Sequence, residues 1–284
     1  MTFPNTICRV RYFAMLAVKE QASESEYIKK INPMTLLEIS LFFIVPAIAA
    51  AINSVAGGGT FLTFPIFIMN GLTPLQANVM STIALWPGTI SSSYGYRKVL
   101  ATKYKSLLPL FIICIVGGAL GSVTLLNTPE KVFKNLVPWL LLIATLIFTF
   151  GRYGIALWHK HFPDSKKQQG LAFCIQALIS FYGGYFGAGI GILMLAMLQL
   201  MGHTNIHQMN AVKTLLGAAI NFATVIIFIY SGVVIWDLAA VMIAGGIFGG
   251  YAGARLALKV SPEHVRLLVS IIGFSMSTYF FLSA

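Results

Sequence analysis

A run of glycines inside one of the most apolar parts of the chain could bind an anion. The run is Gly57-Gly58-Gly59-Thr60, and Asn53 lies one turn before it. Each glycine costs about 1 kcal/mol relative to alanine in a helix interior, and hydrocarbon cannot satisfy the backbone groups that a broken helix exposes. Such a break is tolerated where it lines a cavity, and the N–H groups of a helix that starts there attract anions. All five residues are therefore candidate substrate-binding residues.

A second glycine cluster repeats the pattern about 130 residues later. Its members Gly187, Gly189 and Gly191 are also candidate substrate-binding residues. Secondary transporters use discontinuous helices of this kind, whose half-helix N-termini point at anionic groups. Close packing of helices through small residues is the alternative role, although it explains three consecutive glycines beside Asn53 less well.

Lys213 is the most informative single residue. It is the only lysine or arginine between Gln168 and Ala254, and Asp237 is the only acid in that stretch. A lysine at the centre of a membrane helix costs about 2.5–3.5 kcal/mol on insertion scales. We interpret Lys213 as a fixed positive charge that attracts an anionic substrate. The alternative is a lysine near a helix end whose side chain extends to the lipid headgroups.

Polar residues around Lys213 recur at helical spacing. Residues three, four, seven and eleven positions after Asn210 share its helix face. The candidate substrate-binding residues on this face are Asn210, Lys213, Thr214 and Asn221. The equivalent face in the first half holds Asn78, Ser81 and Thr82. These groups could instead join helices, at about 0.6 kcal/mol per hydrogen bond, but two matching stripes after two glycine breaks favour a binding site.

Composition identifies an all-α polytopic membrane protein. Of the 284 residues, 57% are hydrophobic and 10% are charged, whereas a soluble domain has about 25% charged residues. The net charge of +11 comes from short basic clusters between apolar segments, which is typical of cytoplasmic loops. Nucleic-acid binding would need a basic face on a soluble domain, and we expect none here.

Ten apolar segments follow the polar tail. They lie at about 35–54, 59–71, 76–96, 106–126, 135–151, 170–186, 188–201, 209–230, 233–254 and 265–283. The segments 59–71 and 188–201 are shorter than the about 20 residues that a crossing takes. They either cross as part of a broken helix or re-enter, so we expect about eight to ten crossings.

Matching motifs in the same order indicate an internal repeat. The predicted organisation is an N-terminal polar tail 1–33, a first transmembrane repeat 34–151, a basic cytoplasmic loop 152–169 and a second repeat 170–284. If every segment crosses, each half has five crossings and the halves are inverted. If the short segments re-enter, each half has four crossings and the halves are parallel. The distribution of loop lysines and arginines favours the inverted arrangement.

No catalytic constellation is visible, so we expect a protein that is not an enzyme and needs no cofactor. His203 and His207 have helical i, i+4 spacing, but no third ligand lies near them in the sequence. We therefore expect no metal site. The expected partners are a small anionic substrate and the lipid bilayer.

Short motifs spread over residues 36–283 carry a resemblance to a known family. They include Asn53-x-x-Ala-Gly-Gly-Gly-Thr-x-x-Thr-x-Pro65, Leu85-Trp-Pro-Gly88, Tyr96-Arg97, Asn210-Ala-x-Lys213 and Gly253-Ala-Arg255. Together they resemble the sulfite exporter TauE/SafE family. The resemblance implies a multi-pass carrier of the bacterial inner membrane for sulfite, sulfoacetate or related sulfonates.

The residues and the resemblance together predict a secondary transporter for a small anion. We expect alternating access, with the substrate at the interface between the repeats and export as the direction. An anion channel, or an importer of a small carboxylate or sulfonate, is the alternative. A carrier differs from a channel by saturable flux and counter-exchange.

Overall fold

The computed structural model describes residues 35–55, 57–97, 107–161, 165–203, 205–256 and 262–282. The predicted polar tail 1–33 and part of the predicted basic loops lie outside the described residues. Within the described ranges the chain is helical and contains no strand. The predicted all-α class is therefore confirmed.

Ten helices make up the described part of the chain. They are α1 Leu36–Val55, α2 Thr60–Met69, α3 Pro74–Gly95, α4 Leu108–Leu126, α5 Glu130–His161, α6 Ser165–Tyr185, α7 Ile190–Leu200, α8 Ile206–Ser231, α9 Trp236–Leu256 and α10 Pro262–Leu282. The short helices α2 and α7 begin at the glycine clusters, as the sequence predicts: α2 directly after Gly59 and α7 directly after Gly189, with Gly191 inside its first turn. Their 10 and 11 residues are too few to cross a bilayer alone.

Five helices are long and apolar enough to cross a membrane. They are α1, α4, α8, the Glu130–Phe150 part of α5 and the Trp236–Arg255 part of α9. Helix α3 has the required length, with 22 residues, but the polar residues that the sequence places on one face lower its hydropathy. The protein is thus a multi-pass membrane protein.

Helix α5 is longer than the predicted apolar segment. It continues to His161, and α6 already begins at Ser165, so much of the predicted loop 152–169 is helical. An α-helix satisfies its backbone hydrogen bonds internally. For this reason a helix can continue past the end of its apolar stretch, and hydropathy marks the membrane-embedded part of α5 but not the end of the helix.

Local sequence fixes where α3 and α8 begin, and with them the polar stripes. Thr73 and Gln76 form a capping box before α3, with Pro74 at its first position. The Asn205 side chain accepts hydrogen bonds from the N–H groups of His207 and Gln208 at the start of α8. Both helices therefore start from a defined residue, which sets the direction of each polar face.

Glycines allow the closest helix contacts. Helix α1 packs against α9, and α4 packs against α6. A Cβ atom on Gly249 would collide with the carbonyl of Ala47, and one on Gly121 would collide with the carbonyl of Phe181. These contacts confirm that the glycines of α4 and α9 serve close helix packing.

We predict that Gly249→Ala lowers stability, because its methyl group must displace the backbone of α1. Overpacking of a tight interface costs about 1–3 kcal/mol. The apparent melting temperature of the purified protein in detergent measures the effect. Gly170→Ala is the matched control, since nothing lies within 4 Å of its Cβ position and alanine favours a helix. Equal melting temperatures for the two variants would contradict the predicted contact.

Candidate functional site

The two glycine breaks meet in space. Gly57, with φ 80°, lies in the link between α1 and α2, and Gly191 is the second residue of α7. A Cβ atom on either glycine would collide with the Cα atom of the other. Gly187, in the corresponding link of the second half, also has a positive φ, of 76°. The sequence-predicted clusters thus form one backbone contact between the halves of the chain.

The start of α2 lies against the end of α1. Gly59 is the residue before the first turn of α2, and its Cβ position is 3.1 Å from the Cβ atom of Asn53. The N–H groups of Gly58 and Gly59 have no hydrogen-bond partner among the described residues. The first N–H groups of a helix carry a partial positive charge. They are donors that a negatively charged ligand could use.

Lys213 is buried and bonded to the backbone of α1. Its side chain is 2% exposed, and Nζ donates to the carbonyl oxygens of Asn53 and Ser54, each at 3.1 Å. These carbonyls belong to the last turn of α1, where a helix has unpaired acceptors and a partial negative charge. The side chain does not extend to the lipid headgroups, so that alternative is wrong.

The ammonium group of Lys213 retains one donor. It has three N–H donors, two of which bind the carbonyls of α1, and no described residue accepts the third or supplies a carboxylate. The Cδ atom of Lys213 lies 3.2 Å from the Cβ position of Gly191. The structure therefore brings together Lys213, the end of α1 and both glycine breaks.

Asn78 forms a similar link to the end of α6. Its Nδ2 atom donates to the carbonyl oxygen of Tyr185, the last residue of α6, at 3.0 Å. Its Oδ1 atom is buried without a partner, and so is the Oγ atom of Ser81 one turn later. The Oδ1 atom of Asn210 is also buried and unpartnered. Three predicted site residues therefore hold free acceptors in the protein interior.

Two of the three predicted threonines use their protons within their own helices. Thr82 donates to the carbonyl of Asn78, and Thr214 donates to the carbonyl of Ala211. In this arrangement they offer a ligand only oxygen lone pairs and do not act as donors. Neither threonine therefore adds a free donor to the candidate site.

The remaining predicted residues lie at the edge of this arrangement. Thr60 and Asn221 are half-buried, and their side chains make no hydrogen bond to another described residue. The Cβ position of Gly189 contacts the ring of Phe61 at 3.1 Å, and that of Gly187 is 3.1 Å from a carbonyl of α6. None of these contacts joins the four residues to Lys213.

Sequence reasoning missed a hydroxyl network that supports the acceptor of Lys213. The Oγ atoms of Ser54 and Ser92 are 2.6 Å apart and share one hydrogen bond, and the Ser92 hydroxyl lies 2.9 Å from the carbonyl of Gly250. The hydroxyl of Tyr96 donates to the same Ser54 carbonyl that Lys213 binds, at 3.4 Å. In the sequence, the feature that could have indicated this network is the run of three serines at 91–93. The network ties α1 to α3 and α9 beside the candidate site.

Comparison with known proteins gives one family and several curated relatives. The model of the family described as sulfite exporter TauE/SafE matches residues 42–280. A probable membrane transporter protein of Haemophilus influenzae is 27% identical over 84% of this chain and 92% of its own length. The probable membrane transporter protein YfcA of Escherichia coli is 28% identical over 85% of this chain and 88% of its own. No solved structure matches.

We predict that Gly191→Ala is strongly destabilising, because its methyl group must separate the two glycine breaks and shift Lys213. We expect a loss of about 1–3 kcal/mol in stability, measured as a lower apparent melting temperature. Gly217→Ala is the matched control, since its Cβ would make an ordinary 3.5 Å contact with the tip of Met194. A melting temperature for Gly191→Ala that equals this control would show that the breaks do not touch.

Proposed function

The chain belongs to the sulfite exporter TauE/SafE family of membrane transporters, and from this premise we propose that it is a secondary carrier for a small sulfur oxyanion or organosulfonate. The observation that carries the proposal is the position of Lys213. It lies where both glycine breaks meet, with one donor free. The carrier works by alternating access in the inner membrane.

The charge of Lys213 supports an anionic substrate. A buried charge without a partner costs several kcal/mol, and among the described residues the hydrogen-bond partners of the ammonium are two neutral carbonyls of α1. An anion at the free donor supplies the missing opposite charge. Binding of a small anion is therefore favoured by the same burial that makes the empty site costly.

The break before α2 supplies further donors. The free N–H groups of Gly58 and Gly59 stand at the start of α2, and the Cβ atom of Asn53 lies 3.1 Å from the Cβ position of Gly59. Backbone N–H groups at a helix start bind phosphate and sulfate groups through hydrogen bonds and the helix dipole. A substrate with a tetrahedral or pyramidal oxyanion group suits such a set of donors.

Helix packing supports two related halves of five helices each. The contacts of α1 with α9 and of α3 with α9 have counterparts when the halves are exchanged, namely α6 with α4 and α8 with α4. The contact of α2 with α10 likewise corresponds to that of α7 with α5. We infer that the chain contains a structural repeat and that its two halves meet at the glycine breaks.

The direction of the last helix in each half supports an inverted repeat. Ser277 of α10 contacts Pro138 of α5, whereas Ser270 contacts Thr149. Helices α5 and α10 therefore run antiparallel, as equivalent helices do when two halves have opposite membrane orientation. Inverted repeats around a central site are the arrangement with which many secondary transporters alternate access.

Export is the direction that we propose. A membrane potential of 100 mV, inside negative, contributes about 2.3 kcal/mol per charge to outward movement of an anion. From residue 39 onward the chain contains only Glu130, Asp164, Asp237 and Glu263 as acids. Of these, Glu130 and Asp237 lie in first turns of helices, away from Lys213. The potential alone can drive export without a buried carboxylate.

We predict that Lys213→Gln lowers sulfite flux at least tenfold in proteoliposomes. Glutamine keeps a hydrogen-bond donor for the carbonyls of α1 but removes the charge that binds the anion. Lys134→Gln is the control, because Lys134 is exposed on α5. Both variants should elute from size-exclusion chromatography as the unmodified protein does.

Flux that is unchanged in Lys213→Gln would contradict the role of Lys213. The same proteoliposomes distinguish the carrier from an anion channel. A carrier gives saturable flux and accelerated exchange when the anion is present on both sides. Single-channel currents in planar bilayers would instead support the channel.

A further inference from the structure

The polar stripes of α3 and α8 place different groups at the same position. Asn78 and Ser81 are the fifth and eighth residues of α3. Asn210 and Lys213 are the fifth and eighth residues of α8. In the proposed repeat, Ser81 therefore stands where Lys213 stands in the other half. A hydroxyl replaces an ammonium.

The carbonyls that face these two positions also correspond. Lys213 binds the carbonyls of Asn53 and Ser54, which are two residues and one residue before the end of α1 at Val55. The equivalent residues before the end of α6 at Tyr185 are Gly183 and Gly184. In the proposed repeat, the carbonyls of Gly183 and Gly184 therefore correspond to the two carbonyls that Lys213 binds.

The carbonyls of Gly183 and Gly184 have no donor among the described residues. The N–H groups of Phe186 and Gly187 both bond to the carbonyl of Tyr182, at 2.8 and 3.1 Å. The last carbonyls of a helix lack intrahelical partners and carry a partial negative charge. The end of α6 therefore lacks the positive group that Lys213 supplies at the end of α1.

Unpartnered oxygens also lie on α3, at Asn78, which binds this helix end, and at Ser81 one turn later. Ser81 is 0% exposed and Asn78 is 1% exposed, and neither the Oγ nor the Oδ1 atom has a partner. The bond from Asn78 Nδ2 to the Tyr185 carbonyl fixes the amide orientation, so that Oδ1 stays beside the helix end as an acceptor. Leaving a buried acceptor unsatisfied costs about 1–3 kcal/mol. Both oxygens require a donor or a cation.

We propose that a sodium ion binds between α3 and the end of α6, held by Asn78 Oδ1, Ser81 Oγ and the carbonyls of Gly183 and Gly184. This inference rests on the proposed carrier and its repeat. The ion takes the place in the first half that the Lys213 ammonium takes in the second.

The donor set selects an alkali cation. It contains neutral oxygens only, which suit hard cations, whereas calcium sites use carboxylates and magnesium keeps an octahedral shell of waters and carboxylates. The described residues contain no cluster of His, Cys, Asp or Glu that could hold a metal ion. Helix C-terminal carbonyls coordinate sodium in transporters with discontinuous helices.

The proposed sodium site also gives a physical reason why sodium binding and anion transport would be coupled. Lys213 joins α8 to the end of α1, and the sodium ion joins α3 to the end of α6. Both links cross between the halves, so a movement of one half against the other must rearrange both. Sodium occupancy therefore controls the same movement that exposes the anion site.

The test uses the purified full-length protein in detergent at constant ionic strength. Thermal stabilisation is measured with sodium, potassium or choline chloride. We expect saturable stabilisation by sodium and a half-saturating concentration at least tenfold higher in Ser81→Ala. Ser122→Ala is the matched control, because Ser122 is equally buried and its hydroxyl bonds only to carbonyls of its own helix α4. Its sodium response should be unchanged.

A second variant tests the equivalence with Lys213. Ser81→Lys places an ammonium at the sodium position, so its stability should no longer depend on sodium. No sodium-specific stabilisation of the unmodified protein, or an unchanged response in Ser81→Ala, would overturn the proposal. If Ser81→Lys does not fold, Ser81→Ala decides the matter alone.

Anion flux separates this inference from the proposed function. Sodium-specific stabilisation that Ser81→Ala loses, in a protein without sulfite flux, would support the cation site and overturn the carrier. Sulfite flux at equal rates with sodium and choline would support the carrier and overturn sodium coupling. Flux that falls at least tenfold in choline supports both.

Discussion

The arrangement of the site depends on one buried ammonium bound to the end of a broken helix. Lys213 cannot lie in hydrocarbon without polar partners, and its partners are two carbonyls of α1. The helix ends before Gly57, so both carbonyls lie in its last turn, and each also accepts one further hydrogen bond, Asn53 from the Gly57 N–H group and Ser54 from the Tyr96 hydroxyl. The break in α1 therefore supplies the acceptors that the buried Lys213 ammonium needs, and Lys213 supplies donors to the end of the broken helix. Within the membrane, a broken helix end or a buried ammonium without such a partner would be strongly unfavourable.

Small residues make this contact possible. Lipid offers no hydrophobic force between helices, so association depends on close packing and hydrogen bonds. Gly57 and Gly191 let two backbones touch, and the space at Gly191 is taken by the stem of Lys213. A side chain at either glycine would separate the ammonium from α1. The glycines thus hold the charge in place as well as interrupting helices.

Much of the architecture could be predicted from the sequence, because the membrane simplifies the pattern. Apolar segments and glycine clusters gave the positions of the helices and both breaks to within a few residues. The end of α5 could not be predicted, since a helix continues past its apolar stretch without any change in backbone hydrogen bonding. The low hydropathy of α3 follows from the same polar stripe that marks the candidate site.

The partners of Lys213 could not be predicted. The sequence suggests a role for the Asn53 side chain, but in the structure the Asn53 carbonyl binds Lys213. Every residue has a backbone carbonyl, so the residue type does not show which carbonyl acts as an acceptor. For the same reason Tyr185 gave no signal as the partner of Asn78. A polar stripe in the sequence shows which side chains need hydrogen-bond partners. Which helix ends supply those partners depends on the tertiary fold and cannot be predicted from the stripe.

In the proposed repeat the two halves contribute unequally, and the inequality follows from charge. Two ammonium groups at equivalent positions would place two positive charges at one interface, and without an anion each would add its own desolvation cost. With Ser81 opposite Lys213, the chain carries one fixed charge and leaves acceptor oxygens in the other half. A fixed charge is present in every state of the cycle, while a bound ion can leave. A carrier with one permanent positive group at Lys213 and the proposed exchangeable sodium ion at the end of α6 can thus change its anion affinity during transport.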